Sequence, residues 1–198
     1  MSPTRHQEPL EEPAELDLLK VLIAGGFGVG KTTMVGSVSE IRPLATEAPM
    51  TMASVGIDDL SRTPGKTTTT VALDFGRITF VEERLRVYLW GTPGQERFWF
   101  MWDELAAGAV GAAVIVDTSR LEDCFPAVDY FLSRELPFVV AVNGFDGSYR
   151  FPADEIRDAL DLGPDVPIVD FDARNADSVR QVLIAVVVRA ADAQSVPL

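Results

Sequence analysis

At 198 residues the chain can bury one substantial core and is too short for two comfortable domains. Apolar residues make up 47% and charged residues 24%, the balance of a soluble globular protein. The formal charge of −13 argues against nucleic acid or an anionic membrane surface as the main partner.

Residues 1–16 are rich in Pro and Glu and read as a mobile leader, with a single domain over 17–198. The polar N-terminus carries no secretory signal. Ser2 and a C-terminus without a prenylation cysteine leave no lipidation signal. The lone histidine, His6, lies in the leader, so no Ser–His or Cys–His pair and no His-rich metal site can form within one chain. "DLLKVLIAGG" reads as a buried strand running into glycine, and "KTTMVGSVSEI" as the helix that follows. Residues 42–70 have no sustained periodicity and many breakers, so they read as a long functional loop. "VALDFGRITFVEERLRVYLWG" reads as a hairpin of two strands.

A helix is expected near 97–107, then a strand "GAAVIVD", a helix near 121–133 and a strand "PFVVAVNG". The longest apolar stretch, between Glu104 and Asp117, falls short of the about 20 residues of a membrane-spanning helix, so no direct membrane insertion is expected. The lone cysteine, Cys124, excludes an intramolecular disulfide, fits a reducing cytoplasm and reads as a small packing residue. A helix near 152–161 precedes a short strand "VPIVDFD". In the last helix Val179, Val182, Leu183, Val186 and Val187 share one face. The alternation, with one hairpin early on, predicts an α/β three-layer sandwich with helices on both faces of the sheet. Its sheet has six strands, mostly parallel, with one antiparallel edge strand.

"GGFGVGKT", Gly25 to Thr32, satisfies G-x-x-x-x-G-K-[ST] in full between a strand and a helix. Gly26, Phe27, Gly28, Val29 and Gly30 supply backbone N–H groups that can curl around phosphates. Lys31 can reach the β- and γ-phosphates, and the Thr32 hydroxyl can ligate Mg²⁺. Thr33 continues the phosphate-binding run into the helix. This loop makes the expected sandwich one of the P-loop NTPase type, but a P-loop alone does not choose between GTP and ATP.

The later segments bear on that choice. Asn143-Gly144-Phe145-Asp146 resembles the guanine-reading motif N-K-x-D of Ras-like GTPases, with Gly144 in the place of the lysine. Asp146 can accept two hydrogen bonds from guanine that adenine cannot donate, and Asn143 would tie this loop to the P-loop. Asp172-Ala173-Arg174 resembles the S-A-K motif, whose alanine N–H bonds the base. Gly91-Thr92-Pro93-Gly94-Gln95 resembles the second switch, with Gly91 where an Mg²⁺-linked aspartate usually stands. Thr70, five residues before Phe75, is placed by the same likeness as the Mg²⁺- and γ-phosphate-sensing threonine, ahead of Thr67, Thr68 and Thr69.

Residues 17–193 therefore resemble a small GTPase of the bacterial MglA/Arf-like branch, and more narrowly the GTP-binding subunit of actinobacterial conservon operons. The resemblance implies GTP/GDP and Mg²⁺ as ligands, with Thr32 and Thr70 at the metal. Gly94 then offers its N–H to the γ-phosphate, and Gln95 orients the attacking water. It also implies a Roadblock/LC7-type partner, a link to a sensor kinase, and a cytoplasmic protein that partners recruit to the membrane.

Gly91, Gly144 and Phe27 predict slow hydrolysis and weaker binding. They leave open a non-hydrolysing interaction scaffold and, with a coincidental N-x-x-D, an ATPase. Asp117 reads either as a helix cap or as a carboxylate near the metal. Arg62 and Arg97 read either as arginine fingers in cis or as solvated side chains. Phe98 to Trp102 cannot all face one core from a single turn. They read either as a partner surface or as a hydrophobic staple of the second helix.

Overall fold

The computed structural model describes residues 16–42, 44–49, 70–145 and 149–195. The leader over 1–15 lies outside them, as do Arg62 and Thr67 to Thr69. Strand β1 (Asp17–Ala24) runs through the loop "GGFGVG" into helix α1 (Lys31–Val38). There follow β2 (Leu44–Pro49), β3 (Thr70–Phe80), β4 (Leu85–Gly91), α2 (Trp102–Ala106) and β5 (Gly111–Val116). The chain continues through α3 (Phe125–Ser133), β6 (Phe138–Asn143), α4 (Ala153–Ala159), β7 (Ile168–Phe171) and α5 (Ala176–Ser195).

The sheet order is β2-β3-β4-β1-β5-β6-β7. β4, β1, β5, β6 and β7 are mutually parallel, and β3 pairs antiparallel with β4 as the hairpin reading requires. The six expected strands are all present. A seventh, β2, pairs antiparallel with β3 and becomes the edge strand, so β3 is no longer at the edge. It lies in the stretch read as loop. "LATEAP" carries too few apolar residues to declare itself, and its partner β3 recruits it through backbone pairing.

Side chains alternate across β1. Leu22 and Ala24 enter one apolar layer with Trp102, Phe131, Phe138 and Ile156. Val21 and Ile23 enter the opposite layer with Met34, Val35, Val182, Leu183 and Val186. β5 and β6 are buried along their whole length, as expected for parallel strands covered by helices on both faces. Helices α2, α3 and α4 cover one face, while α1 and α5 cover the other. Two of the expected helices begin as 3₁₀ turns, over Glu96–Met101 and Leu121–Cys124, before widening into α2 and α3. Cys124 is buried there, and burial pushes its thiol up to about 12, in keeping with a packing role.

The functional consequence is alignment. Ile23 of β1 pairs with Gly91 of β4, Ala24 with Val114 of β5, and Asn143 of β6 with Phe171 of β7. The carboxyl ends of these parallel strands thus open at one edge of the sheet, where α/β proteins form their ligand crevice.

Candidate functional site

The loop after β1 takes the conformation that its glycines permit. Gly28 and Gly30 have φ of 75° and 111°, values strained for any residue with a Cβ. Lys31 folds back over this loop and donates from Nζ to the carbonyls of Gly25 and Gly26 at 2.9 and 2.6 Å. Burial pushes its ammonium down to about 8, while the charge of Asp74 opposes part of that shift. Gly94 presses against the loop. A Cβ there would lie 2.8 Å from Lys31 Nζ and 3.1 Å from the Gly26 carbonyl oxygen. Phe27, Gly28, Gly30 to Thr33, Gly91 to Gln95 and Phe98 line a cleft of about 480 Å³, within the roughly 300–1,000 Å³ of small-ligand sites.

Asp74 lines the same cleft, a residue that the motif reading passed over. The Thr32 hydroxyl donates to its Oδ2 at 2.6 Å. Its carboxylate reaches the loop threonine from β3, one strand away from Gly91 at the end of β4. A Cβ on Gly91 would sit 3.0 Å from Asp74 Cβ and 3.3 Å from Asp74 Oδ2. A carboxylate from the neighbouring strand thus stands beside the position where the resemblance expects an aspartate. The signal was present in "VALDFG", since an Asp inside an apolar strand is out of place unless it has a task. Thr32 and Asp74 form a pair of hard oxygen donors. Among the described residues no group of three or more His, Cys, Asp or Glu could hold a metal. A pair of this kind fits Mg²⁺, which keeps several waters and takes phosphate oxygens rather than a protein cage.

Thr70 opens β3, paired with Pro49, about 13 Å along the strand from Asp74. Asp74 is the residue that meets the Thr32 hydroxyl, and the side chain of Thr70 lies outside the description.

Asn143, only 6% exposed, joins three loops. Its Nδ2 donates to the Val29 carbonyl at 3.0 Å, tying the end of β6 to the phosphate loop. Its Oδ1 accepts the Ala173 N–H at 3.1 Å. That N–H, assigned to the base by resemblance, is here engaged by the asparagine, because a buried amide oxygen needs a donor. Asp172 pairs with Arg174, which holds its carboxyl below the usual range. Asp146 lies outside the described residues.

The aromatic run divides between core and solvent. Phe98 and Trp102 are buried, Trp99 and Met101 are half-buried, and Phe100 is 57% exposed. Trp102 packs on Tyr130 and Phe131 and donates from Nε1 to the Pro93 carbonyl at 3.2 Å. Phe98 and Trp102 pack into the core as the staple reading expects, and Phe100 is the residue of the run that faces solvent. Gln95 is exposed, and the side chain of Arg97 is outside the description. Asp117, just past β5, accepts from the Ser119 N–H and hydroxyl at 2.9 and 2.6 Å and pairs with Arg120. Burial raises its pKa, but these bonds outweigh burial and leave it lowered. It closes an Asx turn over Asp117–Ser119 rather than capping the next segment, which begins behind Arg120 without a side-chain cap.

A complete phosphate loop after β1, a carboxylate on its threonine and an asparagine tie to the third loop define a P-loop nucleotide-binding domain. Residues 23–193 match the family described as "Conserved hypothetical ATP binding protein", and the chain belongs to that family. Among curated relatives it is 27% identical over 132 residues to an uncharacterized protein of Methanocaldococcus jannaschii, covering 66% of this chain and 72% of that one. It is 29% identical to the Ras-related protein RABC1 of Arabidopsis thaliana, over 60% of this chain and 47% of the relative. It is 22% identical to the Ras-related protein SEC4 of Saccharomyces cerevisiae, over 83% and 71%. The fold is that of the FeoB G domain from Methanococcus jannaschii, with a TM-score of 0.59 at 12% identity, covering 89% of this chain and all of that one. The G domain of FeoB from T. maritima matches at 0.59 and 17%, over 90% and 99%. The chain is thus similar in sequence to Ras-related GTPases and shares its fold with G domains. Among the described residues no helix is long and apolar enough to cross a membrane.

Proposed function

We propose that the protein is a guanine-nucleotide switch that hydrolyses GTP slowly and signals by nucleotide-dependent contact with a partner. The observation that carries this reading is Asn143. It ties the loop bearing N-x-x-D to the phosphate loop through the Val29 carbonyl, so base and phosphates are read by one rigid unit.

The N–H groups from Gly26 to Thr32 cradle the phosphates, and Lys31 leaves the Gly25 and Gly26 carbonyls for phosphate oxygen. Mg²⁺, when bound, would neutralise charge on the phosphate oxygens. Thr32 would hold it directly, with Asp74 behind Thr32 or on one of its waters. Gly94, already against the loop, offers its N–H to the terminal phosphate, and Gln95 at the mouth of the cleft orients water. Phe27, 70% exposed, shares that cleft with Gln95 and restricts its approach. Single-turnover phosphate release without a partner should therefore be far slower than about one per second. A rate at that level would overturn slow hydrolysis.

The family description favours a second reading, an adenine nucleotide. Competition of labelled GDP by GTP and by ATP, with EDTA and with saturating Mg²⁺, separates the two. Displacement by ATP as readily as by GTP overturns the guanine reading.

Binding should also report the state of Lys31. In the free site its pKa is about 8, and a bound phosphate anion raises it. Binding then takes up a proton above pH 8. Affinity is full below that pH and falls by up to about tenfold per unit as pH rises through it. Calorimetry with GDP from pH 7 to 9.5 measures this, and Lys31→Met should flatten the profile while weakening binding throughout.

The exposed Phe100, just beyond Gln95, supports a partner surface beside the switch. The likeness to conservon GTP-binding subunits suggests a Roadblock/LC7-type protein in a sensor-kinase-linked complex, with any membrane recruitment arising through such partners.

A further inference from the structure

Nothing in the backbone requires glycine at position 26. Its φ is not among the positive values that Gly25, Gly28 and Gly30 adopt. What bars a side chain there is Asp123, in the 3₁₀ turn that opens α3. A Cβ on Gly26 would lie 2.6 Å from Asp123 Cβ and 3.2 Å from its Oδ2. That turn is firmly seated. The Asp123 N–H donates to the Arg120 carbonyl at 3.1 Å, and Cys124, the next residue, is buried. A Cβ on Gly25 would run into the Ile115 carbonyl, so the phosphate loop starts out between β5 and Asp123. The Gly26 carbonyl in turn accepts from Lys31 Nζ at 2.6 Å and stands against Gly94. Asp123 itself does not line the phosphate cleft, so any influence it has there passes through Gly26. An acid this close to an anion site would repel phosphate. Arg120 stands beside it, with Nη1 3.4 Å from Asp123 Oδ2 and Nη2 3.3 Å from Asp117 Oδ2.

We infer that Asp123 is a positioning residue of the phosphate loop, its side chain seating Gly26 while Arg120 balances its charge. This rests on the nucleotide reading of the site. Shape and charge then act separately. The packed Asp123 side chain fixes the peptide that carries the Gly26 carbonyl, and with it the approach of Lys31. A shift of about 1 Å in such a group is enough to cost binding or rate. The charge acts through space on the phosphate chain, more strongly the more charge the chain carries, and is screened by salt. The Arg120 pair is itself half-exposed, so it adds little to stability, and its effect falls on the ligand.

The test is calorimetry of the full chain with inorganic diphosphate and triphosphate at low and high salt. Asp123→Ala should weaken both ligands about tenfold by unseating Gly26. Asp123→Asn keeps the contact and sheds the charge, and should bind at least as tightly as the parent. Arg120→Ala leaves the Asp123 charge unbalanced, while Asp117 retains its bonds from Ser119. It should weaken triphosphate about tenfold and diphosphate less, with both losses closing at high salt. Its melting temperature should stay within about 4 °C of the parent. Adding Asp123→Asn to Arg120→Ala should restore binding. Parent-like affinity in Asp123→Ala, or an equal loss in Asp123→Asn, would overturn the seating of Gly26. An Arg120→Ala loss that is the same for both ligands and indifferent to salt would overturn the charge balance and mark a structural role. These readouts use phosphate chains alone, so they do not depend on which base the site takes. A parent protein that binds neither chain overturns the nucleotide reading, and the inference with it.

Discussion

Replacing Asp74 by asparagine should lower the Mg²⁺-supported gain in GDP affinity by about 10–100-fold while leaving binding in EDTA nearly unchanged. The carboxylate accepts a 2.6 Å hydrogen bond from the Thr32 hydroxyl, the oxygen proposed to hold the metal. Asparagine keeps the shape and removes the charge. The second half of the experiment moves the acid back to the neighbouring strand. With Asp74→Gly and Gly91→Asp together, the space occupied by the Asp74 side chain is vacated and residue 91 can fill it. The double variant should recover most of what either Asp74 variant loses. Recovery would show that the site needs a carboxylate at one point in space, whichever strand carries it. If Asp74→Asn binds GDP with the same Mg²⁺ dependence as the parent, the assignment is wrong. A linked effect provides a second check. Asp74 raises the Lys31 pKa, so its loss should move the onset of weaker binding to below pH 8.

Trp102→Ala should cost about 3–5 kcal/mol of stability, and Phe100→Ala less than about 0.5 kcal/mol. Trp102 is 3% exposed and lies between Tyr130 and Phe131, with ring centroids at 5.1 and 6.1 Å. Alanine there leaves a cavity that α2 and α3 cannot close together, and it orphans the Pro93 carbonyl. For a chain of this length the melting temperature should fall by about 6–20 °C. Denaturant titration measures both variants. Comparable losses for the two would contradict the division of this run into one face for the core and one for solvent. Because Trp102 holds Pro93, next to Gly94, its loss should also weaken the closing of the switch on the phosphate loop, whereas Phe100→Ala should not.

Much of this molecule was legible in its sequence because local patterns dictated it. The runs "GAAVIV" and "FVVAVN" are apolar without alternation and become strands buried on both faces. "GGFGVGKT" specifies a phosphate loop wherever a strand precedes it and a helix follows, since its glycines adopt the positive φ that the turn needs. The four-residue strand near 168 and the face of Val179, Val182, Leu183 and Val186 were equally plain. β2 was not legible, since its reason for being a strand is the exposed edge of β3 and not its own residues.

The sequence by itself determined the phosphate loop, six of the seven described strands and the glycines that stand at positions 91 and 144. Taken along the chain, those two glycines read as losses. Only the tertiary structure set Asp74 against Gly91 from an adjacent strand and the Arg150 guanidinium beside Gly144 from a later loop. A motif records which residue stands at a position, whereas the site requires a charge at a point in space. Side chains distant in sequence can meet that requirement once sheet pairing has set the register.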